Sequence, residues 1–356
     1  MLRRLSVGVM VSAIAIIPLP ANAQDRTAED LGGVMSISLK DVVKPTIGIQ
    51  GALQGAGTPN QAGIGGFLPF SVGDNSVWFI DALVNANFGD REGYSSISNT
   101  DVADGFSTST RLGYRWLNDD RSWMYGLNAG YDTRSLKSGN ADTGVNVWNK
   151  QTVGFQQIAV NAEAVSNGWT FNGYGFIPVG DVDKNLNSHY HAGALNTYGL
   201  DVGYFITPAL HASVGYYYQH RDQEDVNDSG VRGRLAYDII QGLTAGINVS
   251  YDDEFDTRVS ADLKVRFGGA ATTALREQVR QLPVMNALAS TPDNRDIRIH
   301  DGSCIGLCID SGNTNSNNND TTDITVAQTA DEDASTGADD VEDGVEDAAD
   351  DVADVF

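Results

Sequence analysis

His189 and His191 stand two residues apart, a spacing at which two imidazoles can clip a metal ion. No third ligand stands beside them in the sequence, so they read as a histidine pair on a surface loop. Just ahead, Asp181, Asp183, Asn185 and Asn187 alternate like the opening of a calcium loop. Such a loop needs glycine at its sixth position and a bidentate glutamate at its twelfth. Those positions hold Leu186 and Ala192, so the stretch reads as an ordinary polar loop. Asp222, Glu224, Asp225 and Asp228 gather carboxylates in a way that suits plain solvation, or bridging to lipopolysaccharide through divalent cations. His211 shares a row with Ser213, and a hydroxyl beside an imidazole is a start for nucleophilic catalysis. A step of two is also plain strand alternation, and no G-x-S-x-G or metal motif accompanies it. No catalytic, cofactor or metal residue is assigned, and the chain reads as a non-enzyme. Cys304 and Cys308 lack the second Cys or His pair that zinc would need. A small loop disulfide is expected there, two free thiols being the alternative.

The elements that must carry these residues begin with an export signal. Arg3 and Arg4 precede an apolar stretch over residues 5–19, and Ala21-Asn22-Ala23 is a small-x-small site, so cleavage falls between Ala23 and Gln24. The apolar run is shorter than the about 20 residues of a membrane helix. Residues 24–44 follow as a periplasmic segment. No long apolar segment comes later, and the net charge of −24 argues against a nucleic-acid partner.

Residues 45–267 repeat with a period of two. Trp78, Ile80, Ala82, Val84, Ala86 and Phe88 form one row, while Asp81, Asn85 and Asn87 fall on the other. Leu112, Tyr114 and Trp116 oppose Arg111 and Arg115, and Val259, Ala261, Leu263, Val265 and Phe267 oppose Arg258, Asp262, Lys264 and Arg266. A dry sandwich core could not host such charged rows unpaired. In a membrane barrel they fill a wet lumen while the apolar rows face lipid; in a soluble sheet they would face water. Tryptophans and tyrosines near the row ends, including Trp78, Trp116, Trp123, Trp169 and Tyr204, match interfacial girdles. The expected fold is therefore all-β: a transmembrane antiparallel barrel of about twelve strands in the bacterial outer membrane. The strands fall near 46–54, 62–70, 76–88, 106–116, 122–132, 153–164, 169–177, 195–205, 209–219, 230–239, 243–251 and 256–267. Tight turns are expected at Gly73-Asp74-Asn75, Asn118-Asp119-Asp120, Ser166-Asn167-Gly168, Thr207-Pro208 and Gln241-Gly242, alternating with longer polar loops. Pro69 is awkward within its strand, and the phase slips between Phe155 and Ile158, which a bulge would explain.

Gly65-Gly66-Phe67-Leu68-Pro69-Phe70 followed by Ser76-Val77-Trp78-Phe79-Ile80-Asp81 resembles the opening of the inverse autotransporter β-domain, the intimin/invasin type. Arg111-Leu112-Gly113-Tyr114-Arg115, then Tyr125-Gly126-Leu127-Asn128-Ala129-Gly130-Tyr131-Asp132, then Asn172-Gly173-Tyr174-Gly175-Phe176-Ile177-Pro178, continue the likeness in order. The resemblance implies a type V secretion translocator: a twelve-stranded barrel whose C-terminal segment threads back through the pore and displays an adhesin outside. The chain departs from the pattern in having no LysM-like stretch in residues 24–44 and no immunoglobulin-like repeats after residue 267. A short displayed segment, adhesion-like and of unknown ligand, is what remains.

Leu263, Val265 and Phe267 resemble the last-strand signal by which barrel-assembly machinery takes up outer-membrane proteins. After it, Leu275, Val279 and Leu282 stand at helical spacing, with Pro283 expected to end the helix. Arg276 and Arg280 on that helix are candidate plug residues against lumen carboxylates such as Asp81, Asp201 or Asp262. The alternative is a periplasmic helix resting on nothing in particular. Within residues 268–303, the stretch 282–300 is long enough to cross the about 30 Å hydrocarbon core extended, at about 3.3 Å per residue. Residues 304–356 read as a flexible Asn/Ser-rich and then acidic, largely disordered tail, with twelve Asp or Glu and no Lys or Arg over residues 331–356. Two functions fit: a translocation barrel displaying this segment, with outer-membrane lipid and lipopolysaccharide around it, or a diffusion pore with a periplasmic tail.

Overall fold

The computed structural model describes residues 36–53, 60–88, 100–103, 105–141, 146–221, 226–240 and 242–303. The cleavage site at Ala23 and Gln24, both cysteines and the acidic tail lie outside these residues, as do Asp222, Glu224 and Asp225.

The strands are β1 (Thr46–Leu53), β2 (Asn60–Val72), β3 (Ser76–Phe88), β4 (Thr100–Ala103), β5 (Gly105–Leu117), β6 (Trp123–Ala141), β7 (Thr152–Ser166), β8 (Trp169–Pro178), β9 (Asp183–Asn185), β10 (Tyr190–Ala194), β11 (Asn196–Thr207), β12 (Leu210–Arg221), β13 (Val226–Ile240), β14 (Leu243–Asp252), β15 (Asp256–Gly268) and β16 (Ile299–Ser303). Twelve of them form one antiparallel ring in the order β1-β2-β3-β5-β6-β7-β8-β11-β12-β13-β14-β15. The ring closes because β1 pairs with β15, from Thr46 against Gly268 to Leu53 against Ala261. β4 is a short addition on β6, and β9, β10 and β16 form a separate three-stranded sheet.

The period of two sorts side chains as an inverted protein does. Ile80 is 44% exposed on the outer face and Asp81, its neighbour, 1%. Leu112 and Leu127 stand outside, while Arg111, Arg115, Asn128 and Asp132 are buried within. A soluble sheet would not leave its apolar row bare and bury its charges. Trp78, Tyr114, Trp116, Tyr125 and Trp123 follow one another around the wall, adjacent ring centroids being 4.7–6.3 Å apart. They sit at the end carrying the tight turns, as an interfacial girdle requires.

The turns alternate as expected: β2–β3, β5–β6, β7–β8, β11–β12 and β13–β14 are joined tightly at one end, here the short-turn end. Gly242 has φ +81°, which fits the left-handed residue of such a turn. At the other end, the long-loop end, β1–β2, β3–β5, β6–β7 and β8–β11 are joined by longer stretches, whereas β12 and β13 run past their expected ends and leave four residues between them, and β14–β15 is a three-residue turn. Pro69 is accommodated by a register shift between Pro69 and Ser71 against β3. The slip around Phe155 is not a bulge. β7 pairs in unbroken register with β6 from Thr152 to Ser166, and Val153 and Phe155 simply face inward. Their row is apolar because it meets Leu136, Leu186, Tyr190, Ile297 and Ile299 in a core at the long-loop end.

A second apolar core closes the short-turn end. Inward-facing Phe67, Val77, Phe79, Leu117 and Met124 meet Ile37, Leu39, Val42 and Val43 of the N-terminal segment, where α1 (Leu39–Val42) forms. α2 (Thr273–Arg280) and α3 (Pro283–Ala287) bring Val279, Val284 and Met285, joined by Leu288. Thr272 caps α2 by accepting from Leu275 N. Pro283 does more than end a helix: it opens α3, where its missing N–H and fixed φ are no handicap.

Candidate functional site: the occupied lumen

Residues 288–303 run through the ring. At the short-turn end Val284 N donates to Asn167 Oδ1, and Arg115 Nη1 then donates to Ser290 O at 2.6 Å. Midway, Arg295 Nη2 lies 2.6 Å from Asp81 Oδ1, Gln61 donates to Asp296, and Lys264 Nζ lies 3.4 Å from Asp293. Asn294 accepts from Arg232. Further on, Arg134 Nη1 donates to Ile297 O at 2.8 Å and Arg221 to His300 O. The segment then becomes β16 and pairs with β10, Tyr190 opposite Ser303, at the long-loop end.

The wall is held by its own cross-strand ion pairs. Arg111 Nη2 donates to Asp132 Oδ2 at 2.9 Å, Arg115 Nε to Glu163 at 2.8 Å, and Arg232 and Arg234 pair with Asp201 and Asp262. Each is bidentate, the geometry for which guanidinium is suited. Arg111 and Asp132 lie on adjacent strands, whereas the other three pairs reach across an intervening strand, and opposed charges so placed satisfy one another without bulk solvent at every side chain.

The expected plug residues need correcting. Arg276 donates to Ala270 O and Arg280 to Asp238 O, so neither meets a lumen carboxylate. α2 docks by the face carrying Val279, with Leu275 and Leu282 against the same core, and this turns its arginines to the rim. Nor does it rest on nothing. The partners expected for those arginines are taken by Arg295, Arg232 and Arg234. The residues missed by sequence reasoning are thus Asp293, Arg295 and Arg298. Their signal was a charge-dense stretch just before Cys304 with neither strand nor helix periodicity.

The other candidates occupy ordinary roles. Asp183 pairs with Arg221, and Asn187 Oδ1 accepts from the N–H groups of His189 and Tyr190 in the β9–β10 hairpin. His189 bonds Ser188 and packs edge-on against Trp148. His211 Nε2 lies 2.9 Å from Thr170 Oγ1 inside the barrel. Asp228 accepts from the backbone of Asp253. Leu263 and Phe267 lie exposed on the outer row of β15, with Val265 partly covered between them, and Phe267 pairs with Ile47 at the closing seam. Beside the threaded segment a cavity of about 570 Å³ remains, lined by Asp201, His211, Ser213, Arg232, Arg234 and Lys264 among others.

A closed twelve-stranded antiparallel barrel with an apolar exterior and a charged interior is a bacterial outer-membrane β-barrel. No family model and no curated protein matches the chain. A solved structure carrying the description "Unveiling the Mechanism Behind the in-meso Crystallization of Membrane Proteins" is similar over 72% of this chain and 100% of its own, at 14% identity and a TM-score of 0.52. The KdgM porin is similar over 63% of this chain and 99% of its own, at 9% identity and a TM-score of 0.38. An outer membrane channel from Pseudomonas putida F1 covers 63% and 96%, at 12% identity and 0.40. At these identities the likeness concerns the fold alone.

Proposed function

We propose that this protein is an outer-membrane anchor of the inverse-autotransporter kind, holding its own C-terminal segment in the lumen and presenting residues 304–356 at the cell surface in an adhesion-like display. The observation that carries this reading is the course of residues 288–303, which enter beside the tight turns and leave beside the long loops. Short turns face the periplasm and long loops the exterior in barrels of this class. The cap of α1, α2 and α3 then faces the periplasm, and the sheet of β9, β10 and β16 faces outward. Lipid and lipopolysaccharide surround the outer rows, and the last strand β15 offers its aromatic end to the assembly machinery.

The competing pore with a periplasmic tail requires the same segment to leave the lumen by the way it came. An epitope tag placed after Phe356 decides between them. Antibody labelling on intact cells, without permeabilisation, is the expected result. Labelling only after the outer membrane is broken would overturn the display reading.

A further inference from the structure

Where the threaded segment leaves the ring, wall residues surround the guanidinium that the segment itself carries, that of Arg298. Arg298 donates to Gln219 Oε1, and its charged carbon lies 4.5 Å from the Tyr217 ring centre and 5.5 Å from that of Phe255. Asp252 Oδ2 stands 3.7 Å away. The cage is itself braced: the Tyr217 hydroxyl donates to Asp252, and Phe255 N donates to the other Asp252 oxygen at 2.7 Å. Tyr217, Gln219, Asp252 and Phe255 are all buried or belong to the closed cores of this end. They come from β12 and the β14–β15 turn, whereas the guanidinium comes from the chain passing through.

Two aromatic faces, a carboxylate and an amide oxygen form a recognition set for a cation, and a planar guanidinium suits it best because it can stack on the rings while its separate N–H groups reach the two acceptors. The sequence adds an independent observation. Residues 299–356 contain no lysine and no arginine. Residues 299–356 can therefore pass this cage without offering it a guanidinium, and Arg298 is the arginine of the stretch that stops there. We infer that the barrel carries a guanidinium-binding site at its outer mouth, and that capture of Arg298 by this site fixes the register at which the threaded chain comes to rest. The inference rests on the display reading, because it takes residues 299–356 to have passed the mouth.

The experiment uses purified full-length chain in planar bilayers together with the tagged chain on cells. Arg298→Ala empties the cage, and the open probability is expected to rise about tenfold, the order of a lost desolvated cation–π and carboxylate contact. Millimolar ethylguanidinium should restore closure to this variant, while ethylammonium should not. Arg298→Lys should behave like Arg298→Ala. Restoration by both cations alike, or by neither, or an Arg298→Ala channel indistinguishable from the parent, overturns the inference. Should Arg298→Ala fail to assemble, Gln219→Leu removes the amide acceptor at similar volume and should raise the open probability in the same direction; no rise overturns it. The tag separates the two levels: surface labelling with no guanidinium response defeats the cage alone, and periplasmic labelling defeats the display reading beneath it.

Discussion

Arg295→Gln should loosen the threaded segment in the middle of the lumen. Arg295 Nη2 sits 2.6 Å from Asp81 Oδ1, and the side chains are 9% and 1% exposed. Removing one partner of a buried pair leaves the other uncompensated, at a cost of about 3–5 kcal/mol. Asp81 also lines the cavity beside the segment, so water can partly solvate the orphaned carboxylate. That relief brings the expected loss down to about 2–3 kcal/mol. At about 1.4 kcal/mol per factor of ten, the open state of the channel should gain roughly fiftyfold in population. Single-channel recording in planar bilayers measures this directly. Asp81→Asn with Arg295→Gln should recover most of the closure, because the double variant leaves no unpaired charge. Strict additivity of the two changes, or a silent Arg295→Gln, would refute the view that this pair holds the chain in the pore.

Three further outcomes follow from the same geometry. The protein should fractionate with outer membranes, resist urea washing and migrate differently on a gel before and after boiling; release as a soluble monomer would contradict the exposed apolar rows. Phe267→Asp places a carboxylate on the outer row beside Ile47 at the closing seam and should cost up to about 1 kcal/mol near the interface, lowering the inserted fraction up to about fivefold; deletion of Phe356 should leave insertion unchanged by the same heat-shift assay. Removing residues 269–356 takes away no strand of the ring, so the barrel should keep its heat shift while its conductance in planar bilayers rises well above that of the full chain; equal conductance would mean that the segment does not obstruct the lumen.

The twelve strands of the ring were legible because a lipid-facing row and a lumen-facing row differ in polarity at every step, as Trp78 and Ile80 against Asp81 illustrate. The rule fails where the lumen itself is apolar. Val77 and Phe79 begin an inward row that turns polar only at Asp81, and nothing local distinguishes them from lipid-facing residues until α2 and α3 are known to dock on them. Phe155 misled for the same reason at the opposite end. The sheet of β9, β10 and β16 has no local signature, since strands of three and five residues carry too few alternations, and Tyr190 finds its partner Ser303 far along the chain. For the site, the charged rows were visible as rows. Which carboxylate meets which arginine depends on register between strands, and Asp201 with Arg232 or Asp262 with Arg234 could not be paired without it.

The seam between β1 and β15 has a consequence for the order of events during biogenesis. Thr46 and Gly268 are partners there, so the first strand waits for the last before the ring exists, and the entropic toll of joining such distant points falls late. Gly268 and Gly269, with φ of +96° and +89°, then reverse the chain immediately, and Gly269 N reaches back to Pro45 O. Ala271 N bonds Asp41 O one step further on. Circularisation and capping are therefore consecutive in the polypeptide, separated by hardly more than a turn. A ring that has closed therefore has its cap tethered within a few residues of the seam, so little chain separates closure from occlusion of the short-turn end.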